Sequence, residues 1–525
     1  MRRRTALLVL ALGTTTLATT VSARAGGAPN EAAFGAAYGG FAAYHGTALT
    51  LEPKVAPANK AVAYTGPKLV LAQSYVGRKA AEPTLGVDKK GAVFTVAAAF
   101  DAIPGNPPKN EPRTLVMRST DGGRTFTDSS PAVAGVKTQN VSTDPYLYVE
   151  PTSGRVFDLD LQGLNGAHLS FSDDGGKTWT ESALGTAGAN DHQTLVAGPP
   201  PEGSPLPVTD AAFPKVLYYC TNAVAYGSCA RSFDGGRVFT QANQTGYEAV
   251  NPTYAATLDL EHNEGICGSL HGHAVTDSAG RLYIPRGYCR IPMIAISTDA
   301  ATTFHDVKVS DIPISGQQAS VATDAQNNLY YVWYGGAHAL PYLSISRDHG
   351  EHWSTPRMIA PPGVRETNFP TIDVGDPGKI AITFPGSTST AGAKDKTRPW
   401  NSYVVVSTDA LSANPLFLSN IANPKNDPIA RGDCSDRCGR MYDFLDVVSA
   451  PADQGRVFAT AVDTCTAVSF CNSKRVPGND DDSDIVTEET AHPYGASSDM
   501  QGVIIRQVSG PALRGKAPIT QDTRR

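Results

Sequence analysis

A chain of 525 residues with a formal net charge of −6 carries no basic stripe of the kind nucleic-acid binding requires. Its 50 glycines and 38 prolines favour many short strands joined by turns over long helices. That length would fill several ordinary domains unless one closed set of repeats absorbs it.

In chain order, Met1-Arg2-Arg3-Arg4 and the apolar run Ala6–Leu12 precede the small-x-small site Ala23-Arg24-Ala25. This is the pattern of a signal peptide over residues 1–25, and it predicts a secreted protein. The apolar run is too short for a membrane anchor, and no later segment is long and apolar enough for one. Residues 26–66 read as an Ala/Gly/Pro-rich leader or irregular cap, 67–510 as the folded body and 511–525 as a flexible tail. In an exported chain the eight cysteines predict disulfides. The expected pairs are Cys220–Cys229, Cys267–Cys289, Cys434–Cys438 and Cys465–Cys471, the last four cysteines being close enough to exchange partners. No paired Cys-x-x-Cys spacing suggests a metal.

One phrase recurs along the body: a hydrophobic strand, Ser-x-Asp, a glycine-rich turn, then an aromatic. Its copies begin at Ser119, Ser172, Ser232, Ser297 and Ser346, with a worn sixth at Ser407-Thr408-Asp409. The Ser hydroxyl and Asp carboxylate can bond the backbone of their own turn, and the glycines permit positive φ. A second turn recurs between two other strands, as at 87–94, 150–157, 276–283 and 323–330. Repetition of one small sheet predicts an all-β β-propeller, which protects its strand edges by closing a ring. Seven inner hairpins and seven third strands give a seven-bladed β-propeller. Its last strand, Val503–Arg506, has no successor, so Lys68–Gln73 is expected to complete that blade.

The phrase resembles the Asp-box (BNR) repeat of the bacterial sialidase, or neuraminidase, superfamily. That resemblance implies a glycan-active propeller, with six blades as the alternative count. It also implies three arginines on a substrate carboxylate, a tyrosine nucleophile activated by a glutamate, and an aspartate acid/base. The family places its first arginine in an Arg-Ile-Pro motif ahead of the first box. Here Arg290-Ile291-Pro292 lies just before the fourth box and does not match by position.

Boxes join strands three and four of a blade, so all six box aspartates read as scaffold on one face. The leads into the innermost strands, and the loops between strands two and three, lie on the other. The leads carry Glu82, Asp144, Asp191-His192, His271-Gly272-His273, Gln318, Arg365-Glu366 with Asn368, and Arg440-Met441-Tyr442-Asp443. The loops add Arg286, Arg290, Trp333, Tyr334, Arg398 and Trp400. Any one of these can simply bond a neighbouring blade, but together they read as a ring at one mouth of the central channel.

Three functions fit. The first is an exo-glycosidase of sialidase type: Arg290, Arg365 and Arg440 bind an acidic sugar, Tyr442 is the nucleophile beside Asp443, and Asp144 or Asp191 is the acid/base. Glu82, Arg286 and Trp333 would add substrate contacts. The second is a polysaccharide lyase or another glycosidase, with His192 or His273 moving the proton. The third is a non-catalytic propeller that binds a glycan or a protein. The expected partner is a glycan or acidic polysaccharide, and the protein is expected to be a monomer. No cofactor is expected beyond a structural calcium at Asn479–Asp484, a segment that equally reads as a solvated acidic loop.

Overall fold

The fold is given by a computed structural model, which describes residues 40–77, 80–99, 113–133, 136–137, 142, 144–162, 166–184, 191–223, 226–242, 271–288, 290–315, 319–391, 395, 398–424, 427–432, 445–463 and 501–520. The regular structure of these residues is all strand.

The local unit explains the repeat. In the second box Ser172 Oγ accepts from the Gly176 N–H at 2.9 Å and donates to Asp174 Oδ1. Asp174 also accepts from the Lys177 and Thr178 N–H groups, both at 2.9 Å, and from the Thr178 hydroxyl at 2.7 Å. Four donors around one carboxylate close the turn without help from elsewhere in the chain. The second recurring turn works similarly: Asp88, Asp277 and Asp324 each accept from backbone N–H groups two and four residues ahead.

With both turns closed, each repeat becomes a four-stranded antiparallel meander. The described residues form seven such blades. Blade 1 is Ala80–Val87, Val93–Ala99, Arg113–Ser119 and Thr127–Asp128; blade 2 is Pro145–Val149, Val156–Gln162, Gly166–Ser172 and Thr180–Glu181. Blade 3 is Asp191–Gly198, Val216–Ala223, Tyr226–Ser232 and Thr240–Gln241; blade 4 is Val275–Thr276, Leu282–Tyr288, Ile291–Ser297 and His305–Lys308. Blade 5 holds Ser320–Thr323, Leu329–Gly335, Leu340–Ser346 and Arg357–Met358, and blade 6 holds Thr371–Val374, Ile380–Ser387, Pro399–Ser407 and Leu416–Ile421. Blade 7 combines Val447–Ala450, Arg456–Asp463 and Gln501–Ser509 with Val70–Tyr75 from the start of the chain, Ala72 lying opposite Arg506.

The innermost strands close on one another through side chains, because at the axis a strand has no ladder partner on its inner side. Leu147 N–H donates to Thr84 Oγ1 (2.9 Å), Ala197 N–H to the Tyr148 hydroxyl (3.2 Å) and Ala274 N–H to Thr194 Oγ1 (3.0 Å). Ile372 N–H reaches Ser320 Oγ at 3.2 Å and Ser449 N–H reaches Asp373 Oδ2 at 2.5 Å, while the turns after the inner strands of blades 4 and 5 meet through Ser278 Oγ and Asn327 Oδ1 at 2.9 Å. Leu85 N–H then donates to Asp446 Oδ2 at 3.1 Å, joining the last blade to the first. Apolar residues fill the seams between blades, as where Phe157 and Leu159 of blade 2 meet Leu195, Leu217 and Tyr219 of blade 3.

Both ends of the body are more ordered than the sequence suggests. Within the expected leader, Ala42–His45 adds an outer strand to blade 6 and Thr47–Ala48 one to blade 5. Tyr44 is fully buried there and donates to the Ile359 carbonyl at 2.7 Å. The expected flexible tail is likewise corrected over residues 511–520. Leu513 is fully buried, its carbonyl accepts from Asp376 N–H at 2.7 Å, and Gly510 and Ile519 form a bridge.

Candidate functional site

Three leads into the innermost strands share one irregularity. Between Ala81 and Thr84, and between Asp191 and Thr194, one extra residue is inserted relative to the partner strand. The same count holds in blade 6, where Thr367 pairs with Gly386 but Thr371 with Thr383. Each bulge contains a non-glycine residue in the left-handed region: Glu82 (φ 52°), His192 (φ 47°) and Phe369 (φ 42°). Such bulges re-aim side chains, and their strain persists only where packing over-determines it. Glu82, His192 and the adjacent Asn368 are all buried.

The densest polar group lies at the heads of blades 2 to 4. His192 Nδ1 bonds the His271 carbonyl at 3.1 Å, and His271 Nδ1 bonds the Gly272 carbonyl at 3.0 Å. Gly272 is required between the two histidines, because a Cβ there would stand 1.8 Å from the Ala319 carbonyl oxygen of blade 5. His271 also forms a backbone bridge to Arg286, whose side chain is buried. His273 meets the Tyr146 ring edge-on, with centroids 4.7 Å apart. The Gln193 amide donates to the Asp144 carbonyl, and Thr221 Oγ1 both accepts from Asp191 N–H and donates to its carbonyl.

Burial governs the electrostatics. It pulls the His271 imidazole down to about 3, with His192, Arg286 and His273 pushing the same way against the bond to Gly272. His273 falls to about 3 for the same reason, with His192 adding to it. Desolvation thus favours the neutral form of both rings, in which each offers one donor and one acceptor.

His273 also lines the central channel, a cavity of about 450 Å³ walled by all seven innermost strands. Across it stand two part-buried carboxyls, Asp373 and Asp446. Burial raises Asp446 to about 7, and the Asp373 charge adds to this while the Leu85 and Val447 N–H groups oppose it. Burial raises Asp373 too, against the Ser449 and Val374 bonds and the nearby Arg514. The sequence reading passed over both residues. For Asp446 the signal was a carboxylate where blades 1, 3 and 5 carry Thr84, Thr194 and Ser320.

The expected site residues thus divide. Asp144, Asp191, His192, His273 and Arg286 come together, though the Arg286 side chain is buried. Trp333 is corrected: it is fully buried, stacked on Tyr342 at 5.5 Å and edge-on to Tyr331 at 5.8 Å, so it is blade packing and no sugar platform. Trp400 is buried as well, its indole N–H on the Gly432 carbonyl and its ring under Arg398, which pairs with Glu366 at 2.5 Å. Arg290 and Arg365 are exposed on blades 4 and 6. Arg440, Tyr442, Asp443 and Gln318 lie outside the described residues, as do residues 1–39, the Asn479–Asp484 segment and every cysteine except Cys220 and Cys229. Those two cysteines are bonded across one hairpin. Among the described residues no group of three or more His, Cys, Asp or Glu is placed to hold a metal, and no helix is long and apolar enough to cross a membrane.

These features define an all-β propeller with a polar, hydrogen-bonding cluster at the heads of three consecutive blades. No family model matches the chain, and no curated protein does. Among solved structures it is similar to a protein of unknown function from Dyadobacter fermentans DSM 18053, at 13% identity over 85% of this chain and 100% of that one, TM-score 0.39. It is also similar to the NanB sialidase of Streptococcus pneumoniae, at 13% identity over 87% of this chain and 71% of that one, TM-score 0.38. An α-L-arabinofuranosidase of Fusarium graminearum gives 10% identity over 67% of this chain and 96% of that one, TM-score 0.37. At these values the likeness carries neither a family nor an activity.

Proposed function

We propose that this is an exported, glycan-active propeller that binds a saccharide at the heads of blades 2 to 4 and cleaves it as an exo-acting glycosidase. The observation that carries this reading is the convergence of the leads bearing Asp144, Asp191, His192, His271 and His273 from three consecutive blades, tied by the His192–His271 and Gln193–Asp144 backbone bonds. Neutral imidazoles and amides suit sugar hydroxyls, which offer both donors and acceptors. The partly exposed carboxyls Asp144 and Asp191 are the acid/base candidates. Sialidase-type action on an acidic sugar is the finer form, with Arg290, Arg365 and Arg440 on the carboxylate and Tyr442 as nucleophile. An anionic sugar repels a carboxylate nucleophile but not a phenol deprotonated by a neighbouring base.

The test is hydrolysis of a panel of sialosides, uronides and neutral glycosides by the secreted protein. Asp144→Asn or Asp191→Asn should remove turnover by about 100-fold or more, and Tyr442→Phe should do so only for an enzyme of sialidase type. A second reading, binding without cleavage, is favoured by the depressed His271 and His273 imidazoles. It predicts saturable binding that His273→Ala weakens, with no turnover on any member of the panel.

A further inference from the structure

The sixth box departs from the others in a way that opens a groove. After Asp409 the chain runs Ala410-Leu411-Ser412-Ala413-Asn414-Pro415 with neither glycine nor aromatic. Asp409 Oδ1 accepts from the N–H of Leu416, seven residues ahead, where Asp174 accepts from Thr178, four ahead. The lengthened turn forms one wall of a cavity of about 540 Å³ between blades 5 and 6, on the box face and at the outer rim. The fifth box and Arg357 form the other wall.

Two guanidiniums reach across this groove to the lengthened turn. Arg347 Nη2 donates to the Leu411 carbonyl at 2.6 Å. Arg357 donates to the Ala413 carbonyl at 3.0 Å and to the Gly46 carbonyl at 2.5 Å. All three partners are carbonyl oxygens, and among the described residues neither guanidinium meets a carboxylate. Burial pulls Arg357 downward in pKa, and nothing opposes the shift. The groove's one carboxylate, Asp348, is occupied by its own turn, accepting from Ser346 Oγ and from the His352 N–H and Nδ1. Trp353 lines the groove partly exposed, its indole N–H donating to the Gly350 carbonyl at 2.9 Å.

Two cations anchored two residues apart, short of anionic partners and beside an aromatic side chain, fit one kind of ligand. A planar guanidinium keeps free N–H groups for an oxyanion after one or two go to carbonyls, and an indole packs against the apolar face of a sugar ring. We infer that the blade 5–blade 6 groove is a second binding site for a saccharide residue bearing a carboxylate or sulfate, separate from the cluster at the heads of blades 2 to 4. The role the groove would otherwise have is to tie the two blades and Gly46 together, which needs no ligand.

The experiment is titration of the folded protein, followed by calorimetry, with glucuronate, glucose 6-sulfate, methyl glucoside and inorganic sulfate, on wild type, Arg347→Ala and His273→Ala. Glucuronate or glucose 6-sulfate should bind more tightly than inorganic sulfate, and methyl glucoside should not bind. Which acidic sugar binds distinguishes the carboxylate from the sulfate source. Arg347→Ala should weaken binding about tenfold or more, the range for a hydrogen bond to a charged group. It leaves both Arg357 bonds in place and should melt within a few degrees of wild type. His273→Ala should leave this binding unchanged while disturbing the loop-face site, so failure of one reading is separable from failure of the other. Absence of anion-dependent binding, equal affinity for inorganic sulfate, or binding indifferent to Arg347→Ala would each overturn the inference.

Discussion

Asp446 Oδ2 accepts the backbone N–H of Leu85 at 3.1 Å, so a single carboxyl joins the last blade to the first. The same carboxyl stands near Asp373 and, by desolvation, is raised to about 7. Desolvation and the Asp373 charge favour its protonated form, while the Leu85 bond favours the ionised one.

The first prediction concerns pH. A folded-state pKa above the ordinary carboxyl value of about 3.9 means the native state holds a proton that the unfolded chain releases. This contribution is complete below about pH 4 and is lost as the pH rises through about 7, and Asp373, also raised, acts in the same direction. Asp446→Asn cannot ionise, so the melting temperature of wild type relative to this variant should fall between pH 5 and pH 8. A difference that is constant or grows with pH would contradict the assignment.

Asp174 behaves oppositely. Burial alone would raise it, but the bonds from Thr178, Ser172 and Lys177 outweigh that and hold it at about 2. Its contribution is present above the ordinary carboxyl range and is lost as the pH falls toward 2. Asp174→Ala should cost about 1–3 kcal/mol through its lost turn bonds, in chemical denaturation at neutral pH. The residue is exposed, so the cost lies in the turn and not in buried charge. Saccharide binding should survive in the folded fraction, because the boxes and the leads occupy opposite faces.

Tyr44 tests the corrected leader. Its ring is fully buried, stacked on Phe417 at 5.8 Å, with its hydroxyl on the Ile359 carbonyl. Tyr44→Ala should cost about 3–5 kcal/mol, as aromatic-to-alanine changes in cores do. Tyr44→Phe should cost about 1–3 kcal/mol, by leaving that carbonyl without its donor. A chain insensitive to both changes would return residues 40–48 to the status of a loose cap.

The fifth box offers a gain of stability. His349 is in the left-handed region at φ 64°, where the first three boxes have glycine. Its imidazole lies 3.3 Å from Arg281 Nη1 and a long 3.9 Å from Asp277 on a partly exposed side chain, and Arg281 keeps its own 2.8 Å bond to Asp277, so little is lost with the ring. His349→Gly should stabilise the fold by about 0.5–1 kcal/mol, measured as a shift in denaturant midpoint, since a side chain in that region costs about 1–2 kcal/mol.

The sequence by itself determined what is local or counted. Each box turn is held by bonds within a few residues, so Ser172 and Asp174 announce their geometry wherever they stand. Counting strands was enough to show that Val503–Arg506 lacked a neighbour and that residues 68–73 could supply it, as Val70–Tyr75 does. Convergence of the inner-strand leads followed from the repeat as well, which is why His192, His273 and Asp144 were legible as neighbours. What only the tertiary structure decided depends on which surface a neighbouring blade presents. Glu82, His192 and Phe369 adopt left-handed backbone because one residue too many must fit a fixed partner strand, and register is set by pairing, not by residue type. Trp333 is buried because its side of the strand faces packed Tyr331 and Tyr342, although a loop-face position was equally compatible with its composition. Asp446 gains its raised pKa from the apolar enclosure and from Asp373, which the closed ring brings near from 73 residues earlier in the chain. Electrostatics of that kind exist only once the ring has closed, because burial and a second charge, not the residue itself, create them.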